Sequence, residues 1–193
     1  FDIENRVFRL DLSQWKMEHG VDDSGTLRGI TFKEKSVRYE RNPNRMHWAP
    51  SFQRTGERGY QTIGKWSSIQ KHSRQVGAGE VIFDREGPHQ DYPEVVIQAR
   101  YRFFAYVPYF IFNATMSIAK PIDMYFLRNQ EMTMDDLYTH LAWPGADGKP
   151  VIKTFEERKP ILQKSPLAVD IPWVAFFNQS KGYGYGFVSL KHS

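Results

Sequence analysis

Cysteine is absent from the 193-residue chain, so no disulfide framework and no thiol nucleophile is available. That absence does not fix the compartment, because a large secreted bacterial domain can do without disulfides. No apolar stretch approaches the about 20 residues of a membrane-spanning helix. The most apolar run, Phe103 to Phe112, is far shorter and is interrupted by Pro108. No signal peptide is visible, and the chain opens on Phe1, which reads as a processed or excised piece of a longer one. A G-x-S-x-G elbow, an H-E-x-x-H helix, a Walker loop and a dinucleotide fingerprint are all missing. Repeats and low-complexity tracts are missing too, and helix signals are sparse.

What remains is an ordinary globular balance with an aromatic excess. Apolar residues make up 40% and charged residues 25%, enough for one domain over residues 1–193 with a buried core. Aromatics reach 15%, with five Trp, ten Tyr and fourteen Phe. Aromatic side chains fit half-buried pleated surfaces, which leans the chain towards sheet. Exposed ones also stack on sugar rings or bases. The net charge of +4 favours acidic partners such as uronate or sulfated polymers.

The pattern along the chain is that of strands. Asn5 to Trp15 alternates, and Gly29 to Tyr39 resumes after a turn cluster at Val21 to Gly25. Residues 41 to 66 are polar, rich in aromatics and without a period, the signature of a functional loop. Val81-Ile82-Phe83 reads as a short strand ending in a polar turn, Arg85 to Pro93. Then Val95, Ile97, Ala99, Tyr101 and Phe103 fall on one face, with Gln98, Arg100 and Arg102 opposite. From Phe104 onwards both faces are apolar, which predicts burial on both sides, with Pro108 at a bulge or turn. Further strands are expected at Thr115 to Ile118 and Ile122 to Leu127, and a hairpin at Pro172 to Leu190. Short helices are expected near Thr133 to Leu137 and Thr154 to Lys164. The fold predicted is an all-β antiparallel sandwich, of supersandwich or jelly-roll type, with one or two short helices.

Tyr183-Gly184-Tyr185-Gly186-Phe187-Val188 matches much of an RNA-recognition signature, but that signature needs a helix and a further strand after it. Too little chain remains, so no nucleic-acid partner is expected.

Three stretches carry candidate chemistry. The densest runs from Arg128 to His140. Arg128, Asn129, Glu131, Tyr138 and His140 are types that bind sugar hydroxyls and carboxylates and move protons. Residues two apart in a strand share a face, so Tyr138 and His140 are expected to address one substrate together. The plainer reading is a surface connection whose acids cap a helical turn. The second stretch is the turn with Glu86, His89, Asp91 and Tyr92, either an ordinary polar turn or part of a substrate site. His89 and Asp91 are too few ligands for a divalent metal alone, and no cofactor is expected. The third pairs His47 and Trp48 with Trp66 and Tyr60 as a sugar-stacking platform, or else as a loop pinned to the core.

The strand order from Arg100 to Trp143 resembles a known family. Tyr101-Arg102-Phe103 leads into Tyr109 to Asn113 and then Met124 to Leu127, which ends in polar residues with a histidine shortly after. This is similar to the galactose-mutarotase-like supersandwich of aldose epimerases and of the β-domains of several polysaccharide lyases and glycoside hydrolases. The resemblance implies a His and a carboxylate on a concave sheet face, matched by His140 and Glu131, with His89 as an additional histidine. The epimerase His-Pro pair is not found, which leaves a lyase, a hydrolase or its accessory domain, or a binder.

The expected function is therefore action on an acidic polysaccharide or oligosaccharide, in an extracellular or periplasmic setting. For β-elimination, Arg128 and Asn129 would neutralise a uronate carboxylate, His140 or Tyr138 would act as base, and Tyr138 or Tyr92 as acid. For hydrolysis, Glu131 would pair with Asp135 or Asp91. The alternative is a non-catalytic β-sandwich that binds glycan or a partner.

Overall fold

The computed structural model describes residues 7–11, 15–20, 26–33, 37–38, 51–59, 61, 71–128, 137–156 and 171–190. The fold is all-β and antiparallel, the class expected, and the chain divides into two compact units, Phe1–Thr133 and Met134–Ser193.

In the first unit, β1 (Val7–Asp11), β2 (Trp15–Gly20), β3 (Thr26–Phe32) and β4 (Val37–Arg38) form a meander in that order. The strand β5 (Ser51–Arg54) follows, then β6 (Lys71–Val76), β7 (Glu80–Pro88), β8 (Val95–Phe104) and β9 (Phe110–Ile118), which make a four-stranded meander. The last strand, β10 (Met124–Arg128), pairs with β5 across a bulge. In the second unit, β11 (His140–Pro144), β12 (Pro150–Thr154), β13 (Trp173–Asn178) and β14 (Tyr183–Val188) form a sheet in the order β12-β11-β13-β14.

The alternation read in β8 is real. Val95, Ile97, Ala99, Tyr101 and Phe103 are all buried, and Gln98 and Arg100 are exposed. Tyr101 stands in register between Phe83 of β7 and Phe112 of β9. Its ring centroid lies 6.3 Å from that of Phe83 and 4.7 Å from that of Phe112. Each such side chain removed from water stabilises the fold by about 1.5–3 kcal/mol. On the other face, Arg100 makes a bidentate pair with Asp84, at 2.6 and 3.0 Å. There too Arg102 pairs with Glu80 at 2.6 Å and Gln98 donates to Glu86 at 3.2 Å. Exposed pairs of this kind set register more than stability.

Arg85 breaks the pattern, being 2% exposed on the apolar face of β7. Its register partner is Ala99, and beyond that Ala114, so a row of small residues leaves room for its long side chain. Burial pushes its guanidinium down to about 10. It has interaction partners, as a charge this deep requires.

Three expectations are corrected. Arg85 to Pro88 belong to strand β7 rather than to a turn, because the ladder with β8 continues to Pro88 and Val96. Residues 105–109 are not a doubly covered strand. They form the bend between β8 and β9 around Pro108, where Tyr106 and Tyr109 are exposed. Part of the 41–66 stretch is also regular, since it contains β5. Of the short helices, residues 155–156 are helical at the start of the second. Thr154 instead ends β12, and 157–164 and 133–136 lie outside the described residues.

Candidate polar site at the β7–β8 turn

The site begins where β7 ends. Past Pro88 the chain closes a tight loop, with His89 N–H donating to Val95 O at 2.8 Å and Val95 N–H donating to Tyr92 O at 2.9 Å. Inside it, Nδ1 of His89 accepts the Asp91 N–H at 3.1 Å. That acceptor role places the imidazole proton on Nε2. His89 is 1% exposed, and its ring tilts against that of Tyr92 at 5.0 Å.

The second wall comes from β5. Phe52 is fully buried and bridges to Gln61 through paired backbone hydrogen bonds. Its ring lies 5.7 Å from both His89 and Tyr92. This ring cluster docks the end of β5 on the β7–β8 turn. After Arg54 the chain reverses, with Glu57 N–H donating to Arg54 O at 3.2 Å. The reversal needs Gly56, whose φ of 82° suits a residue without a Cβ.

Three groups converge as a result. The Tyr92 hydroxyl donates to Oε2 of Glu57. The Arg54 guanidinium sits 5.0 Å from the Tyr92 ring centroid, with Nη1 3.4 Å from Oε1 of Glu57. Gln53 Nε2 donates to the Glu57 carbonyl at 3.0 Å. Arg54 and Glu57 remain 37% and 36% exposed at their side chains, so the cluster is open to solvent. The hydrogen bond to Glu57 raises the Tyr92 phenol above its ordinary range and holds it protonated. A carboxylate, a proton-bearing phenol and a guanidinium thus meet on one accessible surface.

Of the residues expected here, Tyr92 belongs to the cluster, Asp91 is exposed beside it, and His89 is buried behind it as a shaping residue. Glu86 lies on the opposite face of β7, beside Gln98. Nδ1 of His89 is already engaged, and among the described residues no group of three or more His, Asp or Glu side chains gathers as a metal site.

In the second unit Tyr138 and His140 do not share a face. Tyr138 is 4% exposed and packs against Phe176 and Tyr183, at 6.1 and 6.3 Å. His140 stacks on the next residue of β13, Phe177, at 5.1 Å, with Nδ1 2.8 Å from the Thr139 hydroxyl. Neighbouring residues of a strand point to opposite sides, so the two rings are separated by the sheet. The reason is that Tyr138 precedes β11 and is held by the core, where Tyr183 and Asn178 both donate to Leu137 O. Arg128 is described in its backbone alone, as the end of β10. Asn129, Glu131, Asp135, His47, Trp48, Tyr60 and Trp66 lie outside the described residues.

Arg54 and Glu57 were not singled out by the sequence. Two glycines around Glu57, both at positive φ, mark a tight turn that presents an acid, but nothing local pairs it with Tyr92. No protein-family model matches the chain, and no curated protein is significantly similar to it.

Proposed function

We propose that this chain is a carbohydrate-active protein acting on an acidic polysaccharide, with Arg54, Glu57 and Tyr92 as its working groups. The observation that carries the reading is the Tyr92–Glu57 hydrogen bond beneath the Arg54 guanidinium. The net charge of +4 and the strand order that resembles the galactose-mutarotase-like supersandwich support the same class of substrate.

The reaction is β-elimination at a uronate. Arg54 neutralises the sugar carboxylate, which acidifies the C5 proton. Glu57 takes that proton as the C5–H bond breaks and the C4–C5 double bond forms. The C4–O bond breaks, and Glu57 hands the same proton to the departing oxygen, while the protonated Tyr92 phenol stays hydrogen-bonded to the sugar carboxylate beside Arg54. Glu57 ends the cycle as a carboxylate and Tyr92 as a phenol, so no water or cofactor is consumed.

The test is incubation with a panel of uronate polymers while the absorbance of the unsaturated product is followed. Product is expected from the native chain, and Tyr92→Phe is expected to lower turnover by about 10²-fold or more. Silence across the whole panel removes the lyase reading.

A second reading rests on the second unit. In β14 the rings of Tyr183, Tyr185 and Phe187 alternate with Gly184 and Gly186, which leaves bare backbone on the face that carries His140 and Phe177. Ala175 continues this flat strip, a surface suited to a sugar ring stacked without chemistry. Titration of His140→Ala against uncleaved oligosaccharides tests it, with weakened binding expected and unchanged binding excluding that surface.

A further inference from the structure

We propose that Arg54 and the Tyr92 hydroxyl form a binding site for the carboxylate of a uronic acid, and that Glu57 occupies that site in the free protein as an internal stand-in. This rests on the acidic-glycan reading above and says how its site is filled before substrate arrives.

The contacts of Glu57 are those a ligand carboxylate would make. One oxygen accepts from the Tyr92 phenol and the other faces Nη1 of Arg54. Phenol and guanidinium are the donors that recognise a planar anion, and the phenol is held protonated, as a donor must be. The two donors come from different elements: Arg54 is the last residue of β5, paired in register with Met124, and Tyr92 lies in the loop between β7 and β8. Glu57 is what bridges them across 35 residues of sequence. Its own hold on the fold runs through its backbone instead, because its N–H and carbonyl are engaged by Arg54 O and Gln53. Its half-exposed carboxylate is thus released by side-chain rotation alone, with the turn left in place.

Displacement follows from these facts. A uronate carboxylate that takes over Arg54 and Tyr92 frees the Glu57 oxygens next to the sugar ring, where the elimination needs a base. Affinity for any carboxylate is then lowered by the fraction of time Glu57 holds the site. Asp91, exposed in the same loop, and Arg58, exposed on the same turn, add opposite charges nearby without touching the pair.

Calorimetry with galacturonate, a monosaccharide with no leaving sugar at C4, tests this in the full chain. Acetate and neutral galactose are run beside it on the native protein, Glu57→Ala, Glu57→Gln and Arg54→Met. Galacturonate is expected to bind Glu57→Ala about tenfold more tightly than the native chain, with Glu57→Gln between them and binding lost in Arg54→Met. Galactose affinity stays the same in all four. Equal or weaker galacturonate binding by both Glu57 variants overturns self-occupancy, even if the native chain binds uronates and the glycan reading stands. The reverse pattern, in which acetate tightens as expected and galacturonate binds no better than acetate, leaves self-occupancy standing and removes the glycan reading. An equal gain for galactose also overturns the proposal, since a carboxylate competitor cannot affect a neutral sugar. Tyr92 supplies a readout independent of affinity. In Glu57→Ala its phenol titrates at lower pH than in the native chain, and bound galacturonate returns it upwards; failure of the ligand to do so counts against the site.

Discussion

At Tyr92 a single hydrogen bond decides how the phenol behaves. Glu57 accepts from it, so ionising the phenol would set an oxyanion against a carboxylate, and the titration is raised. Spectrophotometric titration of the chain with Glu57→Gln should show one tyrosine ionising at lower pH than in the native protein, and an unchanged curve would mean that the contact does not form in solution. The partnership was not legible in the sequence, because Glu57 and Tyr92 are 35 residues apart and meet only through the packing of Phe52 on His89 and Tyr92. Tyr92 and His89 were legible as a polar cluster, although not as one half-buried and one fully buried member. A histidine that gives its Nδ1 to a neighbouring N–H looks the same in sequence as one that faces substrate. Arg85 was hidden for a related reason, since Asp84, Arg85 and Glu86 in a row erase the period that would have marked its inward position.

Strands β8 and β14 show what an element contributes beyond its residues. In β8 the inward and outward sets differ sharply in cost. Ile97→Ala should destabilise by about 2–5 kcal/mol, from lost transfer energy and the cavity left behind. Arg100→Ala, three positions on and outward, should stay within about 1 kcal/mol because its pair with Asp84 is solvent-exposed. Chemical denaturation of the two variants checks the contrast, and similar losses would mean that the outward face is also buried. In β14, the alternation of glycine with aromatics is a packing device. A Cβ at Gly184 would come within 3.0 Å of both Phe176 O and the Phe177 Cβ, whereas one at Gly186 meets nothing closer than 3.5 Å. Gly184→Ala should therefore lower stability by about 1–3 kcal/mol while Gly186→Ala is tolerated. The alternation of β8 was readable because one face is buried and the other wet. The two-residue period does not join Tyr138 to His140, because Tyr138 lies before β11 begins and is held by the core.

For the whole molecule, composition was the most reliable guide. The aromatic excess and the scarcity of helix signals lead to an all-β antiparallel fold, and that is the fold found. The global response to alkali follows from two buried groups that face each other in the first unit. Burial raises the phenol of Tyr101, so above its ordinary value near 10 the unfolded chain has lost a proton that the folded chain keeps. The unfolded state then binds fewer protons, and stability falls as pH rises. Arg85 acts in the opposite sense. Its folded value near 10 is below its ordinary one, so above pH 10 the unfolded chain keeps a proton that the fold gives up, and stability rises. The two effects offset each other over the same alkaline interval. Tyr101→Phe removes only the destabilising one, at a neutral-pH cost of about 1 kcal/mol for the lost hydroxyl. Its unfolding midpoint on an alkaline titration followed by circular dichroism should lie above that of the native chain, even though its melting temperature at pH 7 is the lower of the two. A midpoint that moves down with the melting temperature would mean that Tyr101 is not the group whose ionisation opens the fold.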